Sequence, residues 1–139
     1  MEDEFKAASK KFFMMTDDGS YGRQGNVCVP LNEMLAAGEK FDAVITIGPL
    51  IMMKFVCAAT KPYGIKTIAS MNPIMIDGTG MCGGCRVMVG NENKFACVDG
   101  PEFDGHLVDF ANLMQRQMMY KDQESIEYSC GGHCKCVEE

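Results

Sequence analysis

The stretch at residues 76–101, I-D-G-T-G-M-C-G-G-C-R-V-M-V-G-N-E-N-K-F-A-C-V-D-G-P, limits what this chain can fold into more than any other, and it holds three of the eight cysteines. Cys82 and Cys85 form a C-x2-C pair in a glycine-rich loop, and eleven residues separate Cys85 from Cys97. Between them run two short apolar segments, residues 86–89 and 94–98, joined by Gly90-Asn91 and Asn93. That pattern predicts a β-hairpin whose second strand returns Cys97 to the neighbourhood of the loop. Four residues separate Asp77 from Cys82, so the whole reads D-x4-C-x2-C-x11-C. Glycines at 78, 80, 83 and 84 allow the loop to wrap closely around an inorganic group.

Three soft thiol donors at this spacing point to an iron–sulfur site. Plant-type 2Fe–2S proteins use C-x4-C-x2-C with a distant fourth cysteine, and here Asp77 takes the place of the first one. Asp77, Cys82, Cys85 and Cys97 are therefore the candidate metal ligands. Asp77 ahead of Gly78 also suits the start of an Asx turn. Zinc would accept a C-x2-C pair as well, but its structural sites usually pair two short knuckles, whereas Cys97 stands alone in F-A-C-V. Buried free cysteines serving only as small hydrophobes are the third possibility.

A chain of 139 residues is long enough for one ordinary domain, or a domain with an appendage, and needs no disulfides to hold a core. The net charge of −6 disfavours nucleic acid, whose phosphates would be repelled. No apolar run approaches the roughly 18 residues of a membrane span, and M-E-D-E-F-K is not the start of a signal peptide. Cysteines crowded into two clusters indicate metal binding in a reducing, cytoplasmic setting rather than secreted disulfides. Thirteen methionines without a tryptophan suit adaptable core packing.

The first half alternates. Residues 2–11 are short, polar and compatible with a helix. The apolar run F-F-M-M-T at 12–16 reads as a buried strand, followed by a turn-rich loop at 16–25. Apolar residues at 27, 31, 34 and 35 predict a helix over 27–37, closed by Gly38. F-D-A-V-I-T-I at 41–47 is a second strand, Gly48-Pro49 its exit, residues 50–63 an apolar helix ending at Gly64, and 65–71 a third strand. A β-α-β-α-β order calls for a parallel sheet with helices on its faces, and ligands of such sheets bind at the C-terminal strand ends. Both distinctive loops are expected there, and Asp17, Asp18, Ser20, Tyr21, Arg23, Gly48 and Pro49 on them are candidate nucleotide contacts, against the plainer reading that any α/β connection carries Gly and Pro. No G-x-G-x-x-G fingerprint occurs. After the hairpin, 100–105 reads as a loop and 107–120 as an amphipathic helix. The tail C-G-G-H-C-K-C at 130–136 gathers three thiols and His133, which suit a metal, a site shared with a partner, or incidental thiols without a ligand. The predicted class is α/β: a partial Rossmann-like parallel sheet (residues 1–73), a small cysteine-rich β-hairpin iron–sulfur domain with a C-terminal helix (74–120), and a cysteine-rich tail (121–139).

G-S-Y-G-R-Q-G-N-V, I-G-P-L-I-M-M-K, N-P-I-M-I-D-G-T-G-M-C-G-G-C-R-V and F-A-C-V-D-G-P-E-F-D-G-H together resemble the C-terminal part of the ferredoxin–NADP reductase-like electron-transfer subunits. The likeness runs over residues 5–120. Asp77 in the first ligand position resembles the small subunits of NADH-dependent reduced ferredoxin:NADP+ oxidoreductases more than the dihydroorotate dehydrogenase branch, which keeps cysteine there. The resemblance implies an FAD-binding barrel, an NAD(P)H-binding Rossmann-like domain and a 2Fe–2S loop domain, working with a larger flavin and iron–sulfur subunit. The barrel and the first half of the nucleotide domain have no counterpart in this sequence, as expected of a C-terminal fragment or a split gene product. Such a chain is an enzyme only as part of an NAD(P)-dependent oxidoreductase. The implied function is passage of electrons between NAD(P)H and FAD on one side and a partner subunit on the other. The rival function is a zinc-stabilised interaction domain without a redox role.

Overall fold

A computed structural model describes residues 1–121. Helix α1 (Glu2–Ala8) precedes two two-residue strands, β1 (Met15–Thr16) and β2 (Arg23–Gln24), which pair in parallel across the 17–22 loop. Helix α2 (Cys28–Ala36) follows, then β3 (Ala43–Ile47), α3 (Leu50–Thr60) and β4 (Lys66–Ser70). The cysteine segment carries β5 (Arg86–Val89), β6 (Glu92–Phe95) and the short α4 (Ala96–Asp99). Strand β7 (Glu102–Asp104) and helix α5 (Phe110–Gln117) complete it, and a 3-10 turn (Met118–Tyr120) extends α5.

Local chemistry explains the ends of these elements. Gly38 takes a left-handed φ of 77°, and the Gly38 and Glu39 amides donate back to Leu35 and Met34, closing α2. Gly64, at φ 63°, ends the 3-10 turn (Lys61–Tyr63) that continues α3. Asp109 caps α5 by accepting the Asn112 amide at 3.0 Å.

The main sheet has the order β3-β4-β7. β3 and β4 run parallel, with Ile45 opposite Ile68 and Ile47 opposite Ser70, as the alternation predicted. The remainder corrects that prediction. β1 does not join this sheet, and Phe13, expected in a buried strand, is exposed. Its place as third strand goes to β7, which is antiparallel to β4 and lies in a segment expected to be only a loop. Apolar content cannot tell a central strand from an isolated bridge, and three residues of E-F-D are too few to show a period.

α3 covers one face of the sheet. Leu50, Met53, Val56, Cys57 and Thr60 are its buried positions, at the three- and four-residue intervals of one helical stripe. On β3, Thr46 is buried while its neighbours Ile45 and Ile47 are 64% and 70% exposed, so the opposite face carries uncovered apolar side chains. Parallel pairs ordinarily have both faces covered.

The cysteine segment shares a core with this sheet. Leu50, Met53 and Ala69 pack in one cluster with Cys85, Val87, Ala96, Phe103, Val108 and Leu113. Backbone bonds join the two parts, Met71 N–H to Pro101 O at 2.9 Å and Gly105 N–H to Thr67 O at 2.8 Å, while Asp109 N–H to Met88 O at 2.9 Å ties the start of α5 to the hairpin. A buried polar relay adds a side-chain tie. The Thr60 hydroxyl lies 2.6 Å from that of Thr67 and 3.1 Å from His106 Nε2, linking α3, β4 and the residues after β7. The hairpin and the sheet are thus held as one packed unit by shared apolar burial, worth about 1.5–3 kcal/mol per fully buried large side chain.

Candidate metal centre

Asp77 opens the glycine-rich loop. Its carboxylate accepts the Thr79 amide at 2.9 Å through one oxygen and the Cys82 amide at 2.8 Å through the other. The first bond is the Asx turn expected of Asp-Gly, and the second spans the loop to the first cysteine. The Thr79 amide, and after it the Cys82 amide, hold the carboxyl below the usual carboxylate range. Gly80, at φ 83°, shows why the loop needs glycine: a Cβ there would meet Val98 Cγ2 at 2.7 Å.

Cys82 is exposed, and its sulfur accepts the Gly84 amide at 3.4 Å. Cys85, 2% exposed, begins the hairpin from inside the shared core. Its sulfur lies 3.2 Å from that of Cys97, a contact between two free thiols. The Cys97 backbone amide lowers the Cys85 thiol pKa, and the hydrogen bond to Cys85 raises that of Cys97; the Asp77 charge adds to the second shift. The four donors therefore fall as two pairs, Asp77 with Cys82 on the exposed side and Cys85 with Cys97 inward. Among the described residues no three Cys, His, Asp or Glu side chains converge closely enough to hold a single ion.

Cys97 reaches this position by another route than expected. The second hairpin strand stops at Phe95, and F-A-C-V-D bends into α4 with the Phe95 amide bonded to Asp99 Oδ2 at 2.7 Å. The helical turn folds Cys97 back onto Cys85. A strand continuing to residue 98 would have carried it away.

Sequence reasoning missed Arg116. From α5 its guanidinium donates to the carbonyl of Arg86 and, at 3.2 Å, to that of Gly84. No local pattern announces a bond across some thirty residues of sequence.

The candidate nucleotide contacts divide. Gly48 (φ 146°) and Pro49 lie where β3 gives way to α3, and the Asn72 side chain donates to the Gly48 carbonyl at 3.5 Å. Asp17, Asp18, Ser20, Tyr21 and Arg23 lie on the loop and strand beside β1, outside the main sheet. No hydrogen bond among the described residues joins this loop to Gly48-Pro49. Asp18 accepts from the Ser20 amide and hydroxyl, Tyr21 donates to Glu2 at 2.6 Å, and Arg23 pairs with Glu33. Cys28 sits at the start of α2 and Cys57 within α3, both away from the loop. The tail cysteines and His133 lie outside the described residues.

A ferredoxin reductase-like α/β unit is here packed against a glycine-rich hairpin that carries three cysteines. Residues 72–109 match the family described as "Iron-sulfur cluster binding domain of dihydroorotate dehydrogenase B". Over most of its own length the chain is similar to electron-transfer subunits of this kind. A Clostridium beijerinckii protein from the adh 3′ region is 55% identical over 124 residues, 88% of this chain and 42% of that protein. The Thermotoga maritima homologue of the dihydroorotate dehydrogenase B (NAD(+)) electron transfer subunit is 48% identical over 128 residues, 92% of this chain and 45% of that protein. A solved NADH-dependent reduced ferredoxin-NADP oxidoreductase, studied for flavin-based electron bifurcation, superimposes with a TM-score of 0.77 at 46% identity, over 93% of this chain and 46% of that one. The chain thus spans about half the length of the relatives it matches.

Proposed function

We propose that Asp77, Cys82, Cys85 and Cys97 hold a 2Fe–2S cluster. In this reading the chain is the electron-transfer part of an oxidoreductase that connects NAD(P)H and FAD with a larger partner subunit. The observation that carries the reading is the 3.2 Å approach of the Cys85 and Cys97 sulfurs, with the Cys82 backbone amide donating to the Asp77 carboxylate across the same loop. Two donor pairs suit two tetrahedral metal ions better than one, and the thiol-rich donor set suits iron and sulfide. When bound, the cluster supplies one-electron chemistry. The chain's residues do the rest. The loop amides of Thr79, Cys82 and Gly84 stabilise negative charge on the donors, and burial of Cys85 keeps water from the inner pair.

In this reading Gly48 and Pro49 border the nicotinamide end of a nucleotide cleft at the C-terminal end of β3, where such sheets bind ligands. Asp17, Asp18, Ser20, Tyr21 and Arg23 serve the remaining groups of the nucleotide. Arg23 must then leave Glu33 to meet a phosphate. The flavin-binding portion, on this or another polypeptide, covers the Ile45 and Ile47 face. Residues 1–73 form the nucleotide part and 74–120 the cluster part, followed by the cysteine-rich stretch 121–139. Stepwise reduction of anaerobically prepared chain tests the proposal: uptake of about one electron per chain with bleaching of the visible absorbance is expected. A chain that takes up no electrons contradicts it.

A further inference from the structure

We infer that Arg116 is a positioning residue for the cluster, holding the Cys85 loop in place and raising the reduction potential of the group bound there. The inference rests on the cluster reading above. Arg116 follows the buried Leu113 by three positions, so α5 anchors it on the face turned toward the hairpin. Its two terminal nitrogens grip the carbonyls of Gly84 and Arg86, the residues on either side of Cys85. A planar fork bonded on both sides of one residue fixes where that residue's side chain starts, which a single flexible amine does not do. Among the described residues no carboxylate pairs with Arg116, so its charge is set against the loop itself.

That charge is half-buried beside the loop that carries the donors. Arg116 and Gly84 border a groove of about 420 Å³ whose other walls include Ile74, Ile76, Leu113 and Met119. Ile76 adjoins Asp77 and Gly84 adjoins Cys85 in the chain, so the groove borders the neighbours of one donor from each pair. Ile74, Ile76 and Met119 are exposed, so the groove is open to water and the charge acts on the loop at short range. A fixed positive charge favours the more negative, reduced state of a nearby group, which moves its potential upward.

The test uses the full chain, prepared anaerobically with iron and sulfide, as wild type, Arg116→Met and Arg116→Lys. Iron content, midpoint potential and the rate of iron loss to a chelator are read on each. Arg116→Met is expected to show a lower potential and iron loss at least several-fold faster. Arg116→Lys, which keeps the charge without the fork, is expected to recover most of the potential but not the slow loss. Arg116→Met with no cluster beside a loaded Arg116→Lys also supports the inference. Wild-type potential and loss rate in Arg116→Met overturn it, whatever happens to the melting temperature. So does failure of Arg116→Lys to recover any potential or loading. A wild type that takes up no cluster overturns the cluster reading and this inference together, which separates the two failures.

Discussion

Gly105→Ala probes the weld between the hairpin segment and the sheet. Gly105 follows β7, and its amide donates to Thr67 O of β4 at 2.8 Å. It lies outside the positive-φ glycines, so alanine meets no backbone strain there and the cost is steric. A Cβ at this position falls onto Cys57 Sγ, inside any real contact, with Thr67 O at 3.3 Å and Ala69 Cβ at 3.4 Å closing the other sides. Cys57 is buried in α3, so its sulfur has little room to swing away. Overpacking of this kind costs about 1–3 kcal/mol, and rigid neighbours on two sides favour the upper half. For a chain of this size that is a fall in melting temperature of about 5–10 °C. Cys57→Ala alone creates a small cavity and destabilises by about 1–2 kcal/mol. In the double variant the new methyl group occupies the space left by sulfur, so the losses should not add. We expect a restoring coupling of about 1–3 kcal/mol in urea unfolding followed by circular dichroism. Additive losses would show that Gly105 and Cys57 are not in contact and would refute the packing argument.

Thr46 buries its hydroxyl without a hydrogen-bond partner among the described residues. Thr46→Val keeps the shape and removes the stranded group, so it should stabilise by about 1 kcal/mol in the same unfolding experiment; destabilisation would reveal a partner. Burial, with a smaller contribution from Asp104, raises the Cys57 thiol from 9.0 to about 11. A raised thiol pKa favours the folded chain while the thiol is protonated. That contribution is complete below pH 9 and is lost as pH rises from 9 toward about 11. Unfolding curves of wild type and Cys57→Ala should converge across that window, and a constant difference would contradict the shift. Asp77→Cys should keep the cluster and lower its potential, because thiolate donates more than carboxylate; Asp77→Ala should leave it labile. An Asp77→Ala protein with unchanged spectrum and potential would place the fourth ligand elsewhere.

What the sequence conveyed and what it hid follow from the range of the forces involved. Gly38, Gly64 and Gly90 end or turn their elements through their own backbone, and each was readable where it stands. The parallel β3–β4 pair followed from two β-rich runs around an apolar helix. F-A-C-V at Cys97 was misread because its β-branched and aromatic residues suit a strand, while Asp99, reaching back to the Phe95 amide, turns it into a helix. β7 and Arg116 depend on partners far along the chain, and neither leaves a periodic trace. The two-sided grip on Cys85 therefore became visible only in three dimensions.

The central claim, that this chain holds a 2Fe–2S cluster on Asp77, Cys82, Cys85 and Cys97, meets its most direct test in metal and sulfide analysis of anaerobically purified protein. About two irons and two sulfides per chain are expected, with brown colour that bleaches on reduction. Zinc at about one equivalent, with no iron and no sulfide, would contradict that claim and restore the zinc-stabilised interaction domain.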